Sequence, residues 1–299
     1  MNIEISSRGF SAVVETQGAE LRSFRREFDG DDMIWQRTGG IWEGSAPILF
    51  PVIGRMKNGS YFLNGREWKM PKHGLVCKQE WTIVRRDPER VVLRTVDNQE
   101  TCEHYPFHYR FDATFSISRG SLSVSYAITN TGKEPMLFSV GSHPGISLPM
   151  EGTSLEDYTI RFNRPEQGEV RRLTPAGLLS AKPERVMAGA DRIPLTHDIF
   201  VDDALFLTNI ASDVITIGND KIGRYVEVKT GGAPDLGLWA KPGAPYVCVE
   251  PWFGHDDLED HDGNLENKRG ILRLQSGAVF KTGYALRWRG ASAKRTRPR

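Results

Sequence analysis

Between Tyr109 and Ile128 the chain alternates apolar and polar side chains with a period of two, on both sides of a turn. Tyr109, Phe111, Ala113, Phe115 and Ile117 are separated by Arg110, Asp112, Thr114 and Ser116. After Arg119-Gly120 the pattern resumes with Leu122, Val124, Tyr126 and Ile128. Successive strand residues point to opposite faces, so this spacing predicts an antiparallel hairpin with one buried face. Asn130-Thr131-Gly132 then closes it as turn-forming residues do. Shorter strand-like runs at Arg90–Val96, Met136–Val140, Asp213–Ile217, Arg224–Val228 and Tyr246–Val249 are separated by Gly, Pro, Asn or Asp. Many short strands with turn signals predict a mostly β sandwich or closed β architecture. No window carries a persuasive helical stripe, so little helix is expected and alternating βαβ units are excluded.

A chain of 299 residues with 39% hydrophobic content can fill one large core. Residues 1–290 are expected to form one domain, and Ala291–Arg299, with four basic residues and almost nothing to bury, a loose basic tail. Glu151–Pro194 is richer in Pro, Gly and charge than its surroundings and reads as a long insertion between strands. Lys and Arg total 39 against 38 Asp and Glu, so the net charge of +1 offers no general attraction to nucleic acid or to an anionic membrane. A small neutral partner fits better. Three widely spaced cysteines, Cys77, Cys102 and Cys248, suit a reducing compartment. The opening residues have neither a basic start nor a long apolar run, which makes the cytoplasm the expected location.

Four clusters could carry chemistry. Phe50-Pro51-Val52-Ile53-Gly54-Arg55 ends an apolar run on a guanidinium, whose fork of donors suits hydroxyl or phosphate oxygens. It is equally the kind of arginine that ends many strands. Met70-Pro71-Lys72-His73-Gly74 sets an imidazole beside a glycine, as a site residue or as a turn-capping one. In Ser139-Val140-Gly141-Ser142-His143-Pro144 the proline biases His143 toward extended backbone and holds its ring in place. In Tyr246-Val247-Cys248-Val249-Glu250-Pro251-Trp252-Phe253 a carboxylate ends an apolar run. That setting desolvates it and raises its pKa toward a general base's range, unless a strand-edge salt bridge explains it. Trp252 and Phe253 are candidates to stack on a ligand or to join the core.

No metal site is expected. H-E-x-x-H is absent, Pro106 between His104 and His108 spoils a helical pair, and no compact Cys/His spacing occurs. The acidic run His255–Asp262 lacks calcium-loop spacing and reads as a solvated loop. Dinucleotide, Walker and nucleophile-elbow motifs are absent as well.

In order along the chain, these pieces resemble the galactose mutarotase superfamily, in the LacX-like branch of aldose 1-epimerase-like proteins. The resemblance is carried by Gly18-Ala19-Glu20-Leu21-Arg22-Ser23, Phe50-Pro51 with Gly54-Arg55, Lys72-His73-Gly74 and Gly141-Ser142-His143-Pro144. Downstream follow Asp202-Asp203-Ala204-Leu205-Phe206, Leu238-Trp239, Cys248-Val249-Glu250-Pro251-Trp252 and Lys268-Arg269-Gly270. The resemblance implies a supersandwich of large antiparallel sheets, a sugar substrate held on a sheet surface, and neither metal nor cofactor. It further implies Glu250 as general base, His143 as general acid, His73 as a second imidazole, and Arg55 and Asp203 as hydroxyl-binding residues, with Asp202 adjacent to the last. Ser-His-Pro-Gly replaces the Asn-His-aromatic turn of true galactose mutarotases, which bears on the choice of sugar. The expected reaction is interconversion of the α and β anomers of a free aldose, starting from carboxylate and imidazolium. Alternatives are a hexose 6-phosphate epimerase, a non-catalytic sugar-binding protein and a glycoside hydrolase. The sequence is silent on oligomeric state.

Overall fold

In the computed structural model, which describes residues 1–149, 152–196 and 198–289, the alternating segments form strands Tyr109–Ser118 and Ser121–Asn130. They pair antiparallel, with Ser121 opposite Ser118 and Tyr126 opposite Ala113. Val279–Arg289 flanks the hairpin on one side and Arg90–Val96 on the other, inside a nine-stranded antiparallel sheet. The predicted strands at Asp213–Ile217 and Arg224–Val228 belong to the same sheet, as Val214–Asn219 and Arg224–Lys229.

A second, eight-stranded sheet is built around Tyr246–Phe253. Asp235–Trp239 lies on one side of that strand, and Val140–Ser142 and Gly145–Ser147 lie on the other. The two sheets meet face to face. Phe253 of one packs on Phe280 of the other at 5.3 Å, and the Tyr126 hydroxyl bonds Ser142 Oγ at 2.8 Å. Phe50 anchors the core between them, with Tyr109, Phe111 and Phe138 rings at 4.9, 5.3 and 5.7 Å. Each such side chain buried contributes about 1.5–3 kcal/mol. Tyr246–Phe253 is buried on both faces, which is why its sequence reads as a nearly unbroken apolar run. Its outer face carries Glu250 and Trp252.

One short α-helix, Gln99–His104, is present among the described residues, in keeping with the little helix expected. Two expectations are corrected. Met136–Val140 is not one strand: it breaks at Ser139, so that Met136–Phe138 pairs with Leu272–Leu274 while Val140–Ser142 joins the eight-stranded sheet. Glu151–Pro194 is no insertion. Tyr158–Glu166 and Ala190–Pro194 end the nine-stranded sheet, and Glu169–Arg171 and Arg185–Val186 end the eight-stranded one. The basic stretch 291–299 lies outside the described residues. No described helix is long and apolar enough to cross a membrane.

Candidate active site

Glu250 stands in the middle of the buried strand, opposite Gly237 on the neighbouring one. Two glycines make room beside it. A Cβ on Gly237 would come within 3.3 Å of the Glu250 Cβ and 3.0 Å of the Trp252 ring, and one on Gly141 would meet that ring at 2.4 Å. Trp252 therefore lies flat across three strands and floors a cavity of about 250 Å³. This falls below the roughly 300–1,000 Å³ of drug-sized ligand sites and suits one small ring.

His143 follows strand Val140–Ser142 and is fixed from both sides: its own N–H donates to Pro47 O at 3.1 Å, and Val249 N–H donates to Pro144 O at 3.2 Å. Its ring packs on Trp42 at 5.0 Å and meets the edge of Trp239 at 5.7 Å. His143 Nε2 lies 3.1 Å from Glu250 Oε2. The contact is close but not aligned as a hydrogen bond, and Glu250 Oε2 and His143 Nδ1 are both buried without a protein partner. Buried polar atoms are usually paired, and these two belong to residues that line the cavity. Burial holds the Glu250 carboxyl well above the usual carboxylate range, opposed by the nearby Lys72 ammonium, and draws His143 down to about 3. Burial thus acts against charge on either member of the pair, the carboxylate and the imidazolium alike.

His73 reaches the same cavity from a left-handed turn, with φ of 66°. Gly54 N–H donates to its Nδ1 at 3.2 Å. Burial, with the neighbouring cationic groups, holds its pKa well below the ordinary value, so the ring is neutral and must carry its proton on Nε2. It is a fixed hydrogen-bond donor. Its ring lies 5.6 Å from that of His143.

Asp203 also lines the cavity, whereas Asp202 does not. Arg55 is exposed and absent from the lining; its backbone N–H donates to Asp256 Oδ1 at 2.7 Å, while its guanidinium runs beside Gly177. Phe253 faces the core rather than the cavity. The sequence reading missed Asp256 and Trp42, both in the lining, and gave Lys72 and Trp239, which also line it, no role toward a free sugar beyond their place in the motifs. Asp256 belongs to the run read as a solvated loop, yet His255, Asp256 and Asp257 are buried. Asp257 pairs with Lys268 Nζ at 2.6 Å, which explains why Lys268 belongs to the motif set. A Cβ at Gly54 would strike the Asp256 carboxylate at 2.0 Å, so that glycine supplies both a φ of 65° and the space for the acid. Burial raises Asp256 to about 6.

Cys248 completes a group with His143 and Glu250 whose donor atoms lie within 4.8 Å of one another. Burial holds the Cys248 thiol well above its ordinary range. A larger groove, about 950 Å³, opens beside Met70–Leu75 and helix Gln99–His104, and none of the five site residues named from the sequence lines it.

A positioned carboxyl and imidazole with unpaired atoms in a ring-sized cavity are equipped for proton transfer to and from a small polyol. Residues 1–263 match the sequence profile of the aldose 1-epimerase family. The chain belongs to that family. Within the family it falls in the LacX-like branch: LacX (plasmid form) of Lactococcus lactis subsp. lactis is 26% identical over 296 residues, spanning 96% of this chain and 99% of LacX. A galactose mutarotase related enzyme from Lactobacillus acidophilus superposes with a TM-score of 0.92 at 30% identity, covering 98% of this aldose 1-epimerase family member and 99% of that chain. A galactose mutarotase-like protein from Lactobacillus casei gives 0.89 at 26%, covering 97% and 100%.

Proposed function

We propose that this protein is an aldose 1-epimerase that interconverts the α and β anomers of a free aldose, with Glu250 as base and His143 as acid. The observation that carries the reading is the meeting of Glu250 and His143 at 3.1 Å with partnerless buried atoms on each. In the forward step Glu250 takes the proton from the anomeric O1 while His143 gives one to the ring oxygen. The C1–ring-oxygen bond breaks and C1=O1 forms. The step starts from carboxylate and imidazolium and ends with a protonated carboxyl and a neutral imidazole, the direction in which burial pushes both groups. Rotation about C1–C2 presents the other aldehyde face, and the same two protons return for closure. His73 Nε2–H supports the ring oxygen, and Asp203, Asp256 and Lys72 hold hydroxyls.

The sugar phosphate alternative is weaker. Lys72 is the one cation in the described lining and shares it with three acids, Asp203, Glu250 and Asp256. We place the protein in the cytoplasm, in keeping with its three unpaired cysteines.

Saturation-transfer NMR on galactose, glucose and glucose 6-phosphate tests the reading. Anomer exchange should accelerate with wild type on a free sugar and fall by about 10²–10⁴ in a folded Glu250→Gln variant. Undiminished exchange in that variant would remove Glu250 from its role. Binding without acceleration of any aldose would instead make the cavity a sugar-binding site.

A further inference from the structure

Away from the cavity, three ligating side chains of different chemistry converge on one point. Asp97 follows strand Arg90–Val96, Cys102 lies in helix Gln99–His104, and His108 directly precedes strand Tyr109–Ser118. A carboxylate oxygen, the thiol sulfur and a ring nitrogen of these residues all lie within 4.8 Å of one another. We propose that Asp97, Cys102 and His108 form a binding site for a divalent transition-metal ion of the zinc type, with solvent in the fourth position.

The shared vertex is Asp97 Oδ2, 2.7 Å from His108 Nδ1 and 3.9 Å from Cys102 Sγ. With metal–sulfur bonds of about 2.3 Å and metal–nitrogen or oxygen bonds near 2.0–2.1 Å, the edges of a tetrahedral zinc site are roughly 3.3–3.6 Å. The two edges at Asp97 depart from these by about 0.6 and 0.3 Å, and the His108–Cys102 edge lies within 4.8 Å. His108, whose side chain is 65% exposed, has the freedom to swing outward and close the difference. The other two ligands are held. Asp97 Oδ1 accepts the Tyr109 N–H at 2.8 Å, which leaves Oδ2 for an ion, and the helix is started by a reciprocal Asn98–Thr101 cap. On binding, the thiol proton passes to solvent and the thiolate takes the ion. Sulfur and imidazole donors disfavour calcium and magnesium, which prefer oxygen alone, and favour zinc and its neighbours. Sequence spacing hid the group because the helix ends at His104, and the chain then reverses through Tyr105–Phe107 to return His108 beside Asp97.

The test is a titration of the metal-stripped full chain with Co²⁺, followed by the near-ultraviolet sulfur-to-cobalt charge-transfer band. One equivalent should bind with that band, and Zn²⁺ should displace it. Cys102→Ser should abolish the band while keeping the wild-type circular dichroism. His108→Gln, a change at an exposed side chain that leaves the fold intact, should weaken binding at least tenfold, and Cys77→Ser should change nothing. Absence of the band at saturating Co²⁺ would reduce the cluster to an Asp–His ion pair beside a thiol. A band that survives in Cys102→Ser and vanishes in Cys248→Ala would move the metal to the sugar cavity, and either result overturns the proposal.

Discussion

At the residue scale the cavity turns on how one buried acid influences another. Asp256 raises the pKa of Glu250 through its charge, and its own ionisation is opposed by burial, so the two carboxyls resist being charged together. Asn at position 256 keeps an oxygen to accept the Arg55 N–H, so the turn holding His73 stays in place. It loses the negative charge and the stronger hydroxyl acceptor. A hydrogen bond to a charged group is worth about 1.5–3 kcal/mol. Asp256→Asn is therefore expected to raise KM for the preferred sugar by roughly 10–100-fold. It should also shift the Glu250-dependent limb of the pH–rate profile to lower pH, because removing a negative neighbour makes ionisation easier. Anomer-exchange rates measured across pH at several sugar concentrations separate the two effects, and an unchanged KM would remove Asp256 from the sugar's contacts.

At the element scale the site depends on three adjacent strands keeping Trp252 flat between Gly141 and Gly237. Gly141→Ala would place a methyl 2.4 Å from the Trp252 ring, and overpacking of this kind typically costs about 1–3 kcal/mol. Denaturant unfolding should show that loss, with sugar affinity falling alongside as the cavity floor tilts; full stability would mean that the strand relaxes instead. The same elements show what the sequence could reveal. The hairpin Tyr109–Asn130 was legible because its two faces differ, and Glu250 because a carboxyl at the end of an apolar run is chemically conspicuous. His143 was legible from the proline that pins it. Helix Gln99–His104 has six residues, too few for a 3.6-residue period to register. Tyr158–Glu166 begins with alternating Tyr158, Ile160 and Phe162 but ends in Asn163-Arg164-Pro165, and the charge and proline disguised the strand next to the sheet's edge as an insertion. Asp256 and Asp257 were misread because their partners, the Arg55 and Lys57 amides and the Lys268 ammonium, are remote in sequence and meet them only in the fold.

At the scale of the whole molecule the buried acid–base pair leaves a signature in the pH dependence of stability. In the unfolded chain Glu250 titrates near 4.5 and His143 near 6.5; in the folded protein the first lies well above its value and the second at about 3. Above 4.5 the raised Glu250 carboxyl holds its proton more tightly folded than unfolded, which lowers stability as pH rises, while between about 3 and 6.5 the lowered His143 does the opposite, so the two offset each other where they overlap. Above 6.5 the His143 contribution is complete and only that of Glu250 remains, so stability falls as pH rises toward the folded carboxyl's pKa. Below 4.5 the unfolded chain gains a second proton that the folded pair refuses until about 3, so stability falls again. Asp256, raised to about 6, and His255, lowered to about 4, likewise exchange one proton for another across the middle of this range and add little slope. The contribution of these groups is thus greatest on the acid side of neutrality. Replacing Glu250 by Gln removes the carboxyl whose pKa burial raises, so the variant should lose less Tm than wild type as pH rises above 6.5 and keep the His143-dependent loss on the acid side. Thermal unfolding of both proteins across that range measures the difference, and parallel curves would show that Glu250 is ionised in the folded state at neutral pH.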